Sequence, residues 1–185
     1  MKRAVAALAP LVLLLALPAF AGEPPPMAAG INFARLPAAM IDAKFELGLG
    51  ELSAAVLGCF GGDLRRGDDN LGSTAYGGGA QLLWWGIGDR ARGMHVGVEG
   101  RVEWRTAKMG NSNNNVVTDV DSRAWHVGAL VGGRYASVRG VFIGGQLGAR
   151  RVMAATKASC CGGQTLNKDE ASWAPLLVMD AGWLF

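Results

Sequence analysis

Ser172–Phe185 reads SWAPLLVMDAGWLF, and its alternation sets the fold. Counted back from Phe185, every second residue is apolar or bulky: Trp183, Ala181, Met179, Leu177, Pro175 and Trp173. The opposite set carries Ser172, Asp180 and Gly182. A period of two belongs to a strand, whose successive side chains point to opposite faces, whereas a helix repeats at about 3.6.

The same period runs upstream. In Met94–Arg105, MHVGVEGRVEWR, one face holds Met94, Val96, Val98, Val102 and Trp104, and the other His95, Glu99, Arg101, Glu103 and Arg105. Thr74–Gly86, Arg123–Tyr135 and Val141–Val152 alternate likewise. Ile41–Leu49 sets Phe45 and Leu47 against Asp42, Lys44 and Glu46, while Ala28–Leu36 and Leu52–Phe60 carry weaker patterns. Together these predict eight strands. Their connections alternate in length: Gly61–Ser73, Thr106–Ser122 and Met153–Ala171 are long and polar, Ile87–Gly93 and Ala136–Gly140 short.

A soluble sheet buries its apolar face and wets the polar one. A barrel in lipid inverts this, with apolar side chains outside and polar ones filling the lumen. Beyond Ala21 there is no apolar run of about 18 residues, so a membrane span here is built from strands. The 28 Gly of 185 residues are roughly twice the usual share, and many interrupt strands where tight curvature tolerates them.

The N-terminus has the parts of a cleaved secretory signal: Lys2 and Arg3, an apolar run over Ala4–Leu17, and Ala19-Phe20-Ala21 as cleavage site. Residues 1–21 are therefore expected to be removed, 22–27 to form a Pro-rich lead-in, and 28–185 to form the barrel. Losing Lys2 and Arg3 takes the formal charge from +3 to +1, which gives no electrostatic case for nucleic acid.

The aromatic residues form an independent pattern. Tyr76, Trp104, Trp125 and Trp173 fall at one end of their strands, and Trp84, Tyr135, Trp183 and Phe185 at the other, all on the apolar parity. Trp85 alone falls on the opposite parity, next to a turn. From Trp125 to Tyr135 the strand runs about 33 Å, or roughly 25 Å along a tilted barrel's axis, the height of a membrane barrel's apolar band. With Trp104 and Trp125 placed at one level, Glu103 is expected to face His126 and His95 to face Arg134.

With its terminal Phe185 and Trp183 two positions earlier, the last strand resembles the assembly signal of bacterial outer-membrane barrels. The mature chain as a whole is similar to small barrels of the OmpA, OmpX and OmpW kind, without a peptidoglycan-binding domain. That resemblance implies an all-β, single antiparallel up-and-down transmembrane barrel with both ends periplasmic, in the outer membrane of a Gram-negative bacterium. It implies outer-membrane lipid and lipopolysaccharide as surroundings, the barrel-assembly machinery as a partner, and long outer loops able to bind a surface ligand.

Candidate chemistry is sparse. On lumen parity lie His95, Glu99, Arg101, Glu103, Arg105, His126, Arg134, Arg150 and Asp180. Eight strands leave an interior just wide enough for side chains, so these residues are expected to form a filling charge network. A narrow ion path or a channel for small apolar molecules is the alternative. Some small outer-membrane barrels modify lipid A, a reaction that needs a hydroxyl beside an oriented His base. His126 sits between Trp125 and Val127 with no His-x-Ser pairing nearby and on inward parity, so no catalytic residue is assigned. A secreted lipocalin-like barrel would need the same residues facing the other way.

Cys59, Cys160 and Cys161 suggest a disulfide at the outer rim, either Cys59 to one of the adjacent pair or a bridge within the pair. No His completes a metal site, and no cofactor is expected. Arg66-Gly67-Asp68 resembles an integrin-binding tripeptide that chance supplies too often to carry weight. Asp63, Asp68, Asp69 and Asn70 match no EF-hand spacing.

Overall fold

The computed structural model describes residues 27–36, 39–62, 70–111, 116–159 and 165–185. They form eight antiparallel strands: β1 (Met27–Asn32), β2 (Met40–Leu49), β3 (Leu52–Gly61), β4 (Asn70–Gly88), β5 (Arg92–Asn111), β6 (Val116–Ala136), β7 (Val141–Ser159) and β8 (Thr165–Leu184). Each pairs with its sequence neighbour, and β1 pairs with β8, closing a barrel. Reciprocal bonds between Met27 and Phe185 (3.1 and 2.9 Å) seal that seam at what we call the lower end. The expected leader and lead-in, residues 1–26, lie outside the described residues. Both weak candidates contain strands, but β1 begins one residue before the expected boundary and ends at Asn32, four residues short of the expected Leu36.

The lower end is closed by short turns whose chemistry is local. Leu49 pairs with Leu52, leaving a two-residue loop with Gly50 at φ 71°, a primed hairpin geometry that glycine enters without strain. Between β4 and β5, Gly88 adopts φ 74°, and Asp89 Oδ1 accepts hydrogen bonds from the Ala91 and Arg92 N–H groups at 2.7 and 2.8 Å.

The long connections were expected to be loops and are largely strand. β4 to β8 run 19 to 21 residues, so Thr106–Ser122 and Met153–Ala171 are mostly paired ladder. Polar composition does not break a strand when a hairpin partner lies opposite, because the ladder satisfies the backbone whatever the side chains are. The residues between these hairpins, at 63–69, 112–115 and 160–164, lie outside the described residues. They include Arg66-Gly67-Asp68, most of the acidic cluster near it, Cys160 and Cys161.

The faces follow the predicted parity. Val96, Val98, Val127, Ile143 and Leu177 point outward and are about half exposed or more, while Glu99, Arg101, His126 and Asp180 are buried inside. Trp85 turns in by the strand's own alternation with Gln81 and Leu83, as its parity requires, and is 3% exposed, while the β4–β5 register shift between Trp85 and Ile87 brings Ile87 to the outer face.

The register also corrects the expected facing of the charges. Trp104 pairs with Arg123 and Trp125 with Val102, so Arg101 rather than Glu103 stands opposite His126, and His95 is opposite Gly132. Level aromatics were the wrong guide, because Trp104 stacks on Tyr76 of β4 (5.6 Å between centroids) and Arg123 bridges the two tryptophans.

Candidate functional site: the barrel lumen

The interior is stacked in layers of polar groups that join opposite walls. At the lower end Arg134 (β6) donates to Glu46 (β2) at 2.5 and 3.2 Å. Its guanidinium lies over Phe142 and Trp85, at 4.4 and 5.1 Å. The Trp85 Nε1–H donates to Ser53 Oγ at 3.0 Å, and its ring centroid is 4.4 Å from that of His95. This pairing places an amphipathic ring where its one polar atom has a partner.

Above this layer Gln81 Nε2 donates to Glu99 (2.6 Å) and Gln146 (3.3 Å), while Gln146 Nε2 meets His95 Nε2 at 3.1 Å. Lys44 lies 2.7 Å from Asp180 and 3.6 Å from Glu46. Leu83, Leu130, Leu176 and Val178 fill the spaces between.

The upper layer is a web of arginines and acids. Arg101 donates to Asp42 at 2.9 Å, and Asn32 donates to the same carboxylate at 3.2 Å. Arg35 comes down from the β1–β2 connection and holds Glu103 in a fork, at 2.6 and 3.0 Å. Burial acts to lower the Arg35 pKa, but Glu103 and Asp42 outweigh it, so the guanidinium is raised above its usual value and stays charged.

Of the residues expected in this network, His95, Glu99, Arg101, Arg134 and Asp180 are buried and engaged with partners or neighbours. Glu103 and His126 meet diagonally, 3.8 Å apart. Arg150 lines a cavity beside them. Arg105 does not belong: it is exposed, two residues above Glu103 on β5. Asp42, Lys44 and Glu46 were missed as members, although the alternation of β2 aimed them inward by the same rule. Arg35 was missed because it was read within the weak strand Ala28–Leu36, whereas β1 ends at Asn32 and Arg35 lies in the connection to β2.

The aromatics lie outward, with Tyr76, Trp84, Trp125, Tyr135 and Trp173 exposed and Trp104 and Trp183 half-buried. Phe185 is buried, its ring 6.4 Å from that of Phe45. Cys59 is a free thiol inside the barrel, packed with Met40 and Ala75, because its parity on β3 points inward. This corrects only the pairing of Cys59 with the last hairpin; the alternative bridge within Cys160 and Cys161 lies outside the described residues.

The site's chemistry is that of cross-linking. His126 makes no hydrogen bond through either ring nitrogen, so nothing orients it as a base toward a hydroxyl. Among the described residues no cluster of His, Cys, Asp and Glu could hold a metal ion. Fold and lumen together define a closed, eight-stranded, up-and-down barrel with an ion-paired interior and an apolar exterior. No protein-family model, curated protein or solved structure matches the chain.

Proposed function

We propose that the protein is a non-enzymatic integral outer-membrane barrel, which anchors in the bilayer through its apolar belt and presents its upper hairpins for surface binding. The observation that carries this reading is the reversed polarity. Ile143, Leu147, Val56 and Phe60 each expose more than three-fifths of their surface on the outside, while Lys44, Glu46, Glu99, Arg101 and Asp180 are buried within. Apolar area left in water forgoes about 25 cal/mol per Å², and buried charges at best break even. This arrangement is unfavourable in water and favourable in a bilayer.

The outward aromatic residues at two heights, the N-terminal leader and the C-terminal strand support the same reading. A lipocalin-like carrier would want an apolar lumen. A pore would want an unobstructed one, and the Arg134–Glu46 and Arg101–Asp42 pairs run across it. Lipid and lipopolysaccharide are the surroundings this reading assigns, and the assembly machinery is its partner at the last strand.

The experiment is fractionation followed by cysteine scanning through Met94–Arg105, on a background with the three native cysteines replaced. Protein in the membrane fraction, with a lipid-soluble maleimide labelling positions 96 and 98 and sparing 99 and 101, is the expected result. Recovery in the soluble periplasmic fraction without detergent overturns the reading.

A further inference from the structure

One side of the barrel wall is low. The ladder between β1 and β8 stops at Asn32 and Asp180, with one further bond from the Phe33 N–H to the Met179 carbonyl at 2.9 Å. Above that point, β8 pairs only with β7 among the described residues. Alternate residues of an antiparallel strand turn their N–H and C=O toward the same neighbour. Met179 turns its pair toward β1, its N–H donating to Asn32 Oδ1 at 3.2 Å. Leu177, Pro175 and Trp173 share that direction and meet no strand there among the described residues. Proline has no N–H to leave unpaired, which is why an edge tolerates Pro175 at this position.

Behind this open edge lies a cavity of about 190 Å³. Its lining joins two environments: Glu99, Arg101 and Arg150 from the lumen, and Pro175 and Leu177 from the outward face of β8. Arg150 differs from the cations around it. Arg35, Lys44, Arg101 and Arg134 each hold a carboxylate at ion-pair distance, and Arg150 has none among the described residues. Its Nε is buried with no hydrogen-bond partner. A half-buried guanidinium with no carboxylate at ion-pair distance, although Glu99 and Asp42 line the same cavity, is costly, and its planar fork matches the two oxygens of a carboxylate.

We propose that this gap binds a fatty carboxylate. The headgroup sits on Arg150 inside the wall, and the acyl chain leaves past Pro175 and Leu177 to lie along the outer face. The size fits a headgroup and its first methylenes, being below the roughly 300–1,000 Å³ of sites that enclose a whole drug-sized ligand. The proposal rests on the membrane reading, which supplies apolar surroundings for the rest of the chain.

The test uses protein purified from membranes in an uncharged maltoside detergent, with dibromostearate as probe. Its bromines quench tryptophan on contact, and Trp173 neighbours Pro175 on the outward face. Saturable quenching is expected in the wild type, with the half-saturating concentration raised at least about tenfold in Arg150→Gln, equivalent to about 1.4 kcal/mol. Arg150→Lys, which keeps the charge and loses the fork, is expected between the two. Oleate should displace the probe, and oleyl alcohol and inorganic phosphate should not.

Equal quenching of the wild type and both variants means that the chain merely dissolves on the apolar belt, and overturns the proposal. Displacement by inorganic phosphate as effective as by oleate overturns it too, as the mark of a plain anion site. Should Arg150→Gln fail to fold, Arg150→Lys and the contrast between oleate and oleyl alcohol carry the test. Absent binding by protein that fractionates with the membrane defeats the ligand alone, whereas protein found in the soluble fraction defeats the membrane reading.

Discussion

Arg134 and Glu46 grip one another across the full width of the lumen, from β6 and β2, which are diametrically opposite in an eight-stranded ring. Both side chains are 2% exposed. The two donor contacts, at 2.5 and 3.2 Å, tie together walls 88 residues apart in sequence. Removing one partner strands the other as a buried charge. Arg134→Ala is therefore expected to cost about 3–5 kcal/mol, and Arg134→Met combined with Glu46→Leu to recover most of that loss. Urea unfolding in detergent, followed by tryptophan fluorescence, measures both. A single variant as stable as the wild type would mean the pair does not bind the walls together.

The upper layer makes a related prediction about conduction. Arg101 and Asp42 span the lumen at 2.9 Å, and Arg35 with Glu103 covers them from above. An eight-stranded barrel has no width to spare around such a bridge. Wild-type protein in a planar bilayer is expected to give no discrete conductance steps, and steps are expected only once both bridges are gone, in Asp42→Ala and Arg101→Ala combined with Glu46→Ala and Arg134→Ala. Steps in the wild type of the same size as in the fourfold variant would show an open path that these side chains do not close.

The parity of β5 to β8 was readable in the sequence because a strand buried on one face repeats with period two, and the same rule turned Glu99, Arg101, His126 and Asp180 inward. Register was less legible. Parity fixes a face but not which residue stands opposite, so level tryptophans misplaced Trp104 against Trp125 when the pairing partner of Trp104 is Arg123. The height of the strands was hidden as well. The upper hairpins carry polar residues on both faces, and composition there reads as loop although the ladder continues to Asn111 and Ser159. Ile87 turned outward through a register shift that no periodicity could announce, whereas the inward Trp85 follows the parity of its strand. Arg35 joined the lumen from the connection after β1, beyond the point where the weak pattern of Ala28–Leu36 ceases to be strand.

Glycines on the two faces should respond oppositely to substitution. At Gly132, which faces inward, an added Cβ would stand 2.5 Å from the Gly145 carbonyl oxygen and 2.8 Å from both Gln146 Cγ and His95 Nε2. At Gly145 on the neighbouring strand it would meet nothing within 4 Å. Gly132→Ala is expected to lose about 1–3 kcal/mol through overpacking. Gly145→Ala is expected to gain about 0.5–1 kcal/mol by restricting the unfolded chain. The same urea titration compares them, and equal effects at the two sites would show that the lumen is not packed around Gly132.

Cys59 gives a chemical check on the facing of β3, where the sequence pattern was weak. Its thiol is 8% exposed inside the barrel, while Val56 on the same strand is 67% exposed outside. With Cys160 and Cys161 replaced by serine, Cys59 is expected to resist a lipid-soluble maleimide in the folded protein and to react fully once unfolded. Val56→Cys on a Cys59→Ala background is expected to react while folded. A slip of one residue in the pairing of β3 would exchange the two results, because it carries every side chain of the strand to the other face. Rapid labelling at Cys59 with protection at position 56 would therefore reverse β3. It would also take Ser53 away from Trp85 and remove the hydrogen bond that holds that indole in the lumen.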